Sequence, residues 1–207
     1  IHRRNRDQHP ISGNRTGSIQ CIRGSCEGTS NHCGESILGY EKIVKIHVIL
    51  LAAGNSRRFG SNKLLSLVEG KPMYSHLTEK IEKIAESLPI GEKVLVTQYE
   101  EIFESMKKAR WTVVRNDAPE EGVSWSIRLG IQSILGKIRK GDAVSFFVCD
   151  QPFLKMETIV SFLSGYVASG KGIGCLTYKE QWGNPVVFSE VYLKELLSLS
   201  GDVGGKK

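Results

Sequence analysis

From residue 43 onward, short apolar runs alternate with segments whose apolar residues recur at three- and four-residue steps. The runs are 43–53, 93–98, 111–115, 143–149, 173–178 and 185–188. The first is nearly continuous, broken only by Lys45 and His47, as expected of a strand buried on both faces. Between the runs, Met73, Leu77, Ile81, Ile84, Ala85 and Leu88 trace one helical face, with Pro72 suited to the first turn. Ile127, Ile131, Ile134, Leu135 and Ile138 trace a second, and Met156, Ile159, Val160, Leu163 and Val167 a third. A last helix is expected from Ser189, with Tyr192, Leu193, Leu196 and Leu197 on one face. Strand alternating with helix predicts an α/β fold: a mostly parallel sheet with helices on both faces.

Residues 1–42 are different: polar, rich in Gly, Ser, Asn and Arg, with no sustained period of either kind. They read as a disordered leader to a domain over 43–207. Their Cys21, Cys26, His32 and Cys33 match no paired metal-ligand spacing, so zinc is not assigned there. Cys149 and Cys175 lie inside apolar runs and read as buried thiols.

A net charge of +6 is compatible with a polyanionic partner. The cations are scattered among glutamates on helices rather than gathered in a stripe with aromatics, which argues against a nucleic-acid module. No run is apolar enough to span a membrane, and the basic N-terminus lacks the apolar stretch of a signal peptide, so the cytoplasm is the expected location.

In open parallel sheets ligands bind beyond the carboxyl ends of the strands. Three segments there carry chemistry. Residues 51–63 follow the first strand as Leu51-Ala52-Ala53-Gly54-Asn55-Ser56-Arg57-Arg58-Phe59-Gly60-Ser61-Asn62-Lys63. Gly54 and Gly60 allow close backbone approach, and successive amides in such a turn can cradle an anion. Ser56 adds a hydroxyl, and Arg57, Arg58 and Lys63 add positive charge suited to phosphate. The loop has neither the Gly-Lys-Ser/Thr ending of a Walker A motif nor the glycine spacing of a dinucleotide fingerprint. Asn116 and Asp117 follow the third strand. Asp150 ends the fourth, ahead of Gln151-Pro152-Phe153. A carboxylate there suits Mg²⁺, which takes one or two carboxylates together with phosphate oxygens and water; turn capping before proline is the simpler alternative. Near the C-terminus Asp202, in Gly201-Asp202-Val203-Gly204-Gly205, offers a second carboxylate.

Together these residues resemble the molybdenum cofactor nucleotidyltransferases, and among them the cytidylyltransferases, including relatives linked to selenium-dependent molybdenum hydroxylases. The loop through Lys63 fits the first signature. Asn116, Gly122, Ser126, Arg128 and Gly130 resemble the middle motif, Asp150-Gln151-Pro152 the metal motif, Gly183-Asn184-Pro185 the substrate-side loop, and 201–205 the later acidic turn. The resemblance covers roughly 43–207 and implies a Rossmann-like nucleotidyltransferase fold. It implies that CTP is joined to the terminal phosphate of molybdopterin cofactor, with Mg²⁺ as cofactor. Arg58, Lys63 and Asp150 are the implied catalytic residues. Leu51, Ala52, Ala53, Gly54, Ser56, Gly60, Asn116 and Ser126 are the implied nucleotide-binding residues, and Asp150 and Asp202 the metal ligands. An apo molybdenum hydroxylase is an implied recipient of the product. Family members continue past the acidic turn, so the resemblance also implies a domain truncated at its C-terminus.

Base choice rests on one position. Guanylyl-transferring relatives read Leu-Ala-Gly-Gly where this chain has Leu51-Ala52-Ala53-Gly54, so Ala53 tilts the expectation to cytidine. Guanylyl and sugar-phosphate transfer are the alternative chemistries. A non-catalytic delivery chaperone is a third reading, against which stand the intact Arg58, Lys63 and Asp150.

Overall fold

The computed structural model describes residues 18–20, 44–54, 62–179 and 181–201. Nine strands are described: β1 (Ser18–Gln20), β2 (Ile46–Ala52), β3 (Leu67–Val68), β4 (Lys71–Pro72), β5 (Ile90–Thr97), β6 (Thr112–Arg115), β7 (Ala143–Val148), β8 (Ile173–Tyr178) and β9 (Gln181–Ser189). The described helices are α1 (Met73–Ile84), α2 (Glu100–Lys108), α3 (Val123–Ile134), α4 (Met156–Ser169) and α5 (Leu193–Leu197).

Seven strands form one sheet in the order β1-β8-β9-β7-β2-β5-β6. The four strands from β7 to β6 are parallel. Strand β9 runs antiparallel to β7, β8 to β9, and β1 to β8. The α/β class and the parallel core agree with the hydrophobic pattern, whereas the antiparallel edge was not legible in it. A short β8–β9 turn closes a hairpin, and a hairpin allows only antiparallel pairing. Within the polar leader, Ser18–Gln20 adds a strand to that edge. The remainder of residues 1–43 lies outside the described residues.

Both faces of the sheet are covered. Val48, Leu50 and Ala52 of β2 point to the core shared with α1, α2 and α4, through Leu77, Ile81, Ile102, Ile159 and Phe162. Ile49 points to the opposite core with Ile127, Ile131 and Ile134 of α3 and Leu193 and Leu196 of α5. This two-sided burial is why β2 reads as a continuous apolar run. Full burial of each such side chain contributes about 1.5–3 kcal/mol. Helix α3 lies very close to β2. A methyl on Gly130 would sit 2.7 Å from Ile49 Cγ2, so only glycine lets the helix approach this far.

His47, the polar interruption of β2, is 2% exposed at the amino-terminal end of the sheet. Its Nδ1 accepts the Glu92 amide at 3.0 Å, which leaves the Nε2 proton facing Asp142 Oδ2 at 3.4 Å. Asp142 also accepts the backbone amides of Arg139 (2.7 Å) and Lys45 (3.3 Å). Burial alone would raise the Asp142 carboxyl, but these amides and His47 outweigh it and hold it below the ordinary carboxylate value. The pair therefore joins β2 to the segment before β7, on the side of the sheet away from the strand ends considered next.

Candidate active site at the carboxyl ends of the strands

The chain winds from β2 outward through β5 to β6, then returns to the other side of β2 as β7. The strand order thus reverses between β2 and β7, and an α/β sheet opens its ligand crevice at such a point. The residues that follow these two strands are those singled out from the sequence.

After β2, Ala53 and Gly54 lead toward the glycine-rich loop. Leu51 and Ala52 pack into the two cores, so what they offer a ligand comes from backbone, not side chains. Ala53 is 6% exposed. Gly54 has no left-handed backbone angle; its value is space, since a methyl built on it meets no described atom within 4 Å. Ser56, Arg57, Arg58 and Gly60 lie outside the described residues, as does Asp202.

The chain resumes at Asn62, whose Oδ1 accepts the Leu64 amide at 3.0 Å and caps a short 3₁₀ turn over Lys63–Leu65. Leu64 is buried and anchors that turn, leaving Lys63 at the surface. After β7, the Cys149 amide still reaches Leu51 O at 3.2 Å, extending the ladder by one residue. Asp150 then emerges at the edge. The Lys63 Nζ lies 3.7 Å from Asp150 Oδ2, with the two side chains 35% and 51% exposed. An ion pair this exposed is worth at most about 1 kcal/mol. It is easily parted, so each charge can turn to an incoming anion or cation.

The sequence neighbours of the pair each carry a buried polar atom with no hydrogen-bond partner among the described residues: Asn62 Nδ2, preceding Lys63, and Gln151 Oε1, following Asp150. Buried polar atoms normally have a partner, and those without one mark where a ligand or ion can supply it. The Cys149 thiol is fully buried and pushed up by that burial and then by Asp150, so it is no nucleophile. On the outer side, Lys80 of α1 donates to Pro152 O (2.6 Å) and Leu154 O (2.8 Å), bracing the turn that carries Asp150. Burial lowers the Lys80 pKa, opposed by Glu69, Glu157 and Glu79.

Asn116 and Ser126 are brought together as well. Asn116 Nδ2 donates to Ser126 Oγ at 2.9 Å, its Oδ1 accepts the Ala118 amide at 3.0 Å, and its own amide reaches Thr97 O at 2.8 Å. Both side chains are buried, at 2% and 5% exposure. Their clearest work is to hold the start of α3 against the ends of β5 and β6. Gly122 precedes α3 with φ at +81°, an angle that favours glycine. On the same helix, the Arg128 guanidinium stacks 4.7 Å from the Trp125 ring, and its Nε is buried with no hydrogen-bond partner among the described residues. The β8–β9 hairpin rises at the same edge, carrying Gly183-Asn184-Pro185 with a cis Asn184–Pro185 bond.

Sequence reasoning passed over the end of β5. Thr97 Oγ1 donates to Ala52 O (3.1 Å), Gln98 Nε2 to Ala53 O (2.8 Å), and Tyr99 Oη to Gly54 O (2.9 Å). The available signal was the rule applied to the other strands: polar residues directly after an apolar run stand at the ligand edge.

Residues 48–207 match the family model of the MobA-like NTP transferase domain. The chain belongs to that family. It is a nucleotidyltransferase domain. The molybdenum cofactor guanylyltransferase of Syntrophotalea carbinolica is 22% identical over 157 residues, covering 76% of this chain and 67% of that protein. The crystal structure of Rv0371c from Mycobacterium tuberculosis H37Rv superposes with a TM-score of 0.58 at 20% identity, covering 79% of each chain. A nucleotidyl transferase from Methanothermobacter thermautotroptrophicus gives 0.57 at 20% identity, covering 75% of this chain and 76% of that one. These structural likenesses carry the Rossmann-like nucleotidyltransferase fold. Among the described residues no helix is long and apolar enough to cross a membrane, and no group of three metal-ligating side chains occurs.

Proposed function

We propose that this nucleotidyltransferase uses CTP and transfers CMP to the terminal phosphate of molybdopterin cofactor, releasing pyrophosphate. The observation that carries the reading is the meeting of Lys63 and Asp150 at the reversal point of the sheet. A phosphate oxygen of the acceptor attacks the α-phosphorus of CTP; the bond to the β-phosphate oxygen breaks, and pyrophosphate leaves. The acceptor is itself the nucleophile, so the protein's task is to position the reactants and neutralise charge. Lys63, with Arg58 of the loop, balances the triphosphate and the leaving pyrophosphate.

Asp150 fits a divalent cation: it is an exposed carboxylate, the next residue in the chain carries an unpartnered amide oxygen, and Mg²⁺ commonly takes one carboxylate and completes its shell with phosphate and water. Asp150 would hold the ion, with Asp202 as a second carboxylate. Bound there, Mg²⁺ supplies charge for the phosphate oxygens. Ser126 and Asn116 support the nucleotide side through the start of α3, and the backbone at Leu51, Ala52, Ala53 and Gly54 lines its floor.

The choice of CTP rests on Ala53. Guanylyl transfer is the second reading, favoured by the name of the Syntrophotalea relative. Pyrophosphate release measured with each NTP, Mg²⁺ and molybdopterin cofactor tests both. Turnover with CTP supports the proposal. Turnover with GTP alone replaces it by the second reading, and no release with any NTP removes both.

A further inference from the structure

The glycine-rich loop is gripped at its stem by the neighbouring strand. Three consecutive residues at the end of β5 reach three consecutive carbonyls at the end of β2: Thr97 to Ala52, Gln98 to Ala53 and Tyr99 to Gly54. The backbone pairing of the two strands ends at Ala52 and Thr97, so the last two contacts carry the register beyond the ladder by side chains. The grip is itself anchored. Thr97 is fully buried, its Oγ1 accepts the Tyr99 amide at 3.1 Å, and its carbonyl accepts the Asn116 amide at 2.8 Å. The Tyr99 ring packs against the core under β5.

A trans peptide is planar, with its carbonyl and amide pointing in opposite directions. Turning the Ala53 carbonyl toward Gln98 therefore turns the Gly54 amide away from β5, to the β7 side where Asp150 stands. We infer that Gln98 and Tyr99 are positioning residues: they fix the carbonyls of Ala53 and Gly54 so that the Gly54 amide faces the nucleotide phosphates. The inference rests on the nucleotidyl-transfer reading of the site. Without the grip the fold retains its cores, because neither hydrogen bond belongs to them; what is lost is the preset direction of that amide.

Tyr99→Phe removes one hydroxyl and keeps the ring, and Gln98→Leu removes the amide. Loss of one neutral hydrogen bond corresponds to about a five-fold change in an equilibrium constant. The expected result for Tyr99→Phe is a rise of about five-fold in the Kd and KM for CTP or GTP. The KM for the acceptor and the melting temperature stay unchanged, and trypsin cuts faster after Arg57 and Arg58 in the ligand-free protein. Gln98→Leu is expected to act in the same direction. Unchanged cleavage together with unchanged nucleotide Kd overturns the grip. A lowered melting temperature with unchanged nucleotide Kd reduces it to a structural bond and overturns the positioning role. If wild type binds neither CTP nor GTP while the variants are cut faster, the grip stands and its nucleotide role is overturned along with the proposed function.

Discussion

Lys63 and Asp150 are separated by most of the parallel sheet in sequence, yet their charged atoms lie 3.7 Å apart. The contact joins the segment after β2 to the segment after β7, neighbours only because the strand order reverses there. Because the pair is exposed, Asp150→Ala should leave the melting temperature within about 2 °C of wild type. Pyrophosphate release should fall on the order of 100-fold or more if the carboxylate serves the reacting phosphates. Lys63→Met should raise the KM for the nucleotide and lower the rate. Wild-type release by Asp150→Ala would remove the metal assignment.

Ala53 is the sole basis for cytidine over guanosine. Ala53→Gly should shift the ratio of kcat/KM for CTP over GTP toward GTP. One methyl commonly discriminates by about 10-fold or somewhat more. Steady-state kinetics with both nucleotides gives the ratio directly; an unchanged ratio places base selection elsewhere. Its 6% exposure means that any such effect acts through the backbone or a small contact area.

The buried His47–Asp142 pair predicts a pH dependence of stability rather than of catalysis. Asp142 has its folded pKa held below the ordinary carboxylate value, so its contribution is fully present above the unfolded value near 4. It is lost as pH falls through the still lower folded value. Asp142→Ala should cost about 2–4 kcal/mol at neutral pH, because it leaves His47 and two amides buried without their acceptor. The gap to wild type, read from urea unfolding, should narrow below about pH 4. A gap constant from pH 7 to pH 3 would contradict this.

Gly130→Ala tests the close packing of α3 on β2. The added methyl meets Ile49 at 2.7 Å, and overpacking of this kind costs about 1–3 kcal/mol. Displacing α3 should also loosen the 2.9 Å Asn116–Ser126 bond and raise the nucleotide KM. A stability loss without any kinetic change would separate α3 packing from the site.

Much was legible because it is local. Apolar runs became β2, β5, β6, β7 and β8 almost at their expected bounds, and Asp150 stands at a strand end because the apolar run stops there. Helix α2 was passed over: Ile102 and Met106 are its only buried residues, too narrow a stripe to stand out among charges. Asn116 and Ser126 were expected to face the nucleotide, and the structure turns them first to each other.

The sequence by itself determined the strand–helix alternation, the glycine-rich loop and the carboxylate after a buried strand, since each depends on residues adjacent in the chain. Only the tertiary structure decided that β7 lies beside β2, that Lys63 meets Asp150, and that Thr97, Gln98 and Tyr99 hold the three carbonyls of the loop's stem. Those relations join segments dozens of residues apart. Their partners are chosen by which cores the helices on the two faces can close, and no single stretch of chain contains that information.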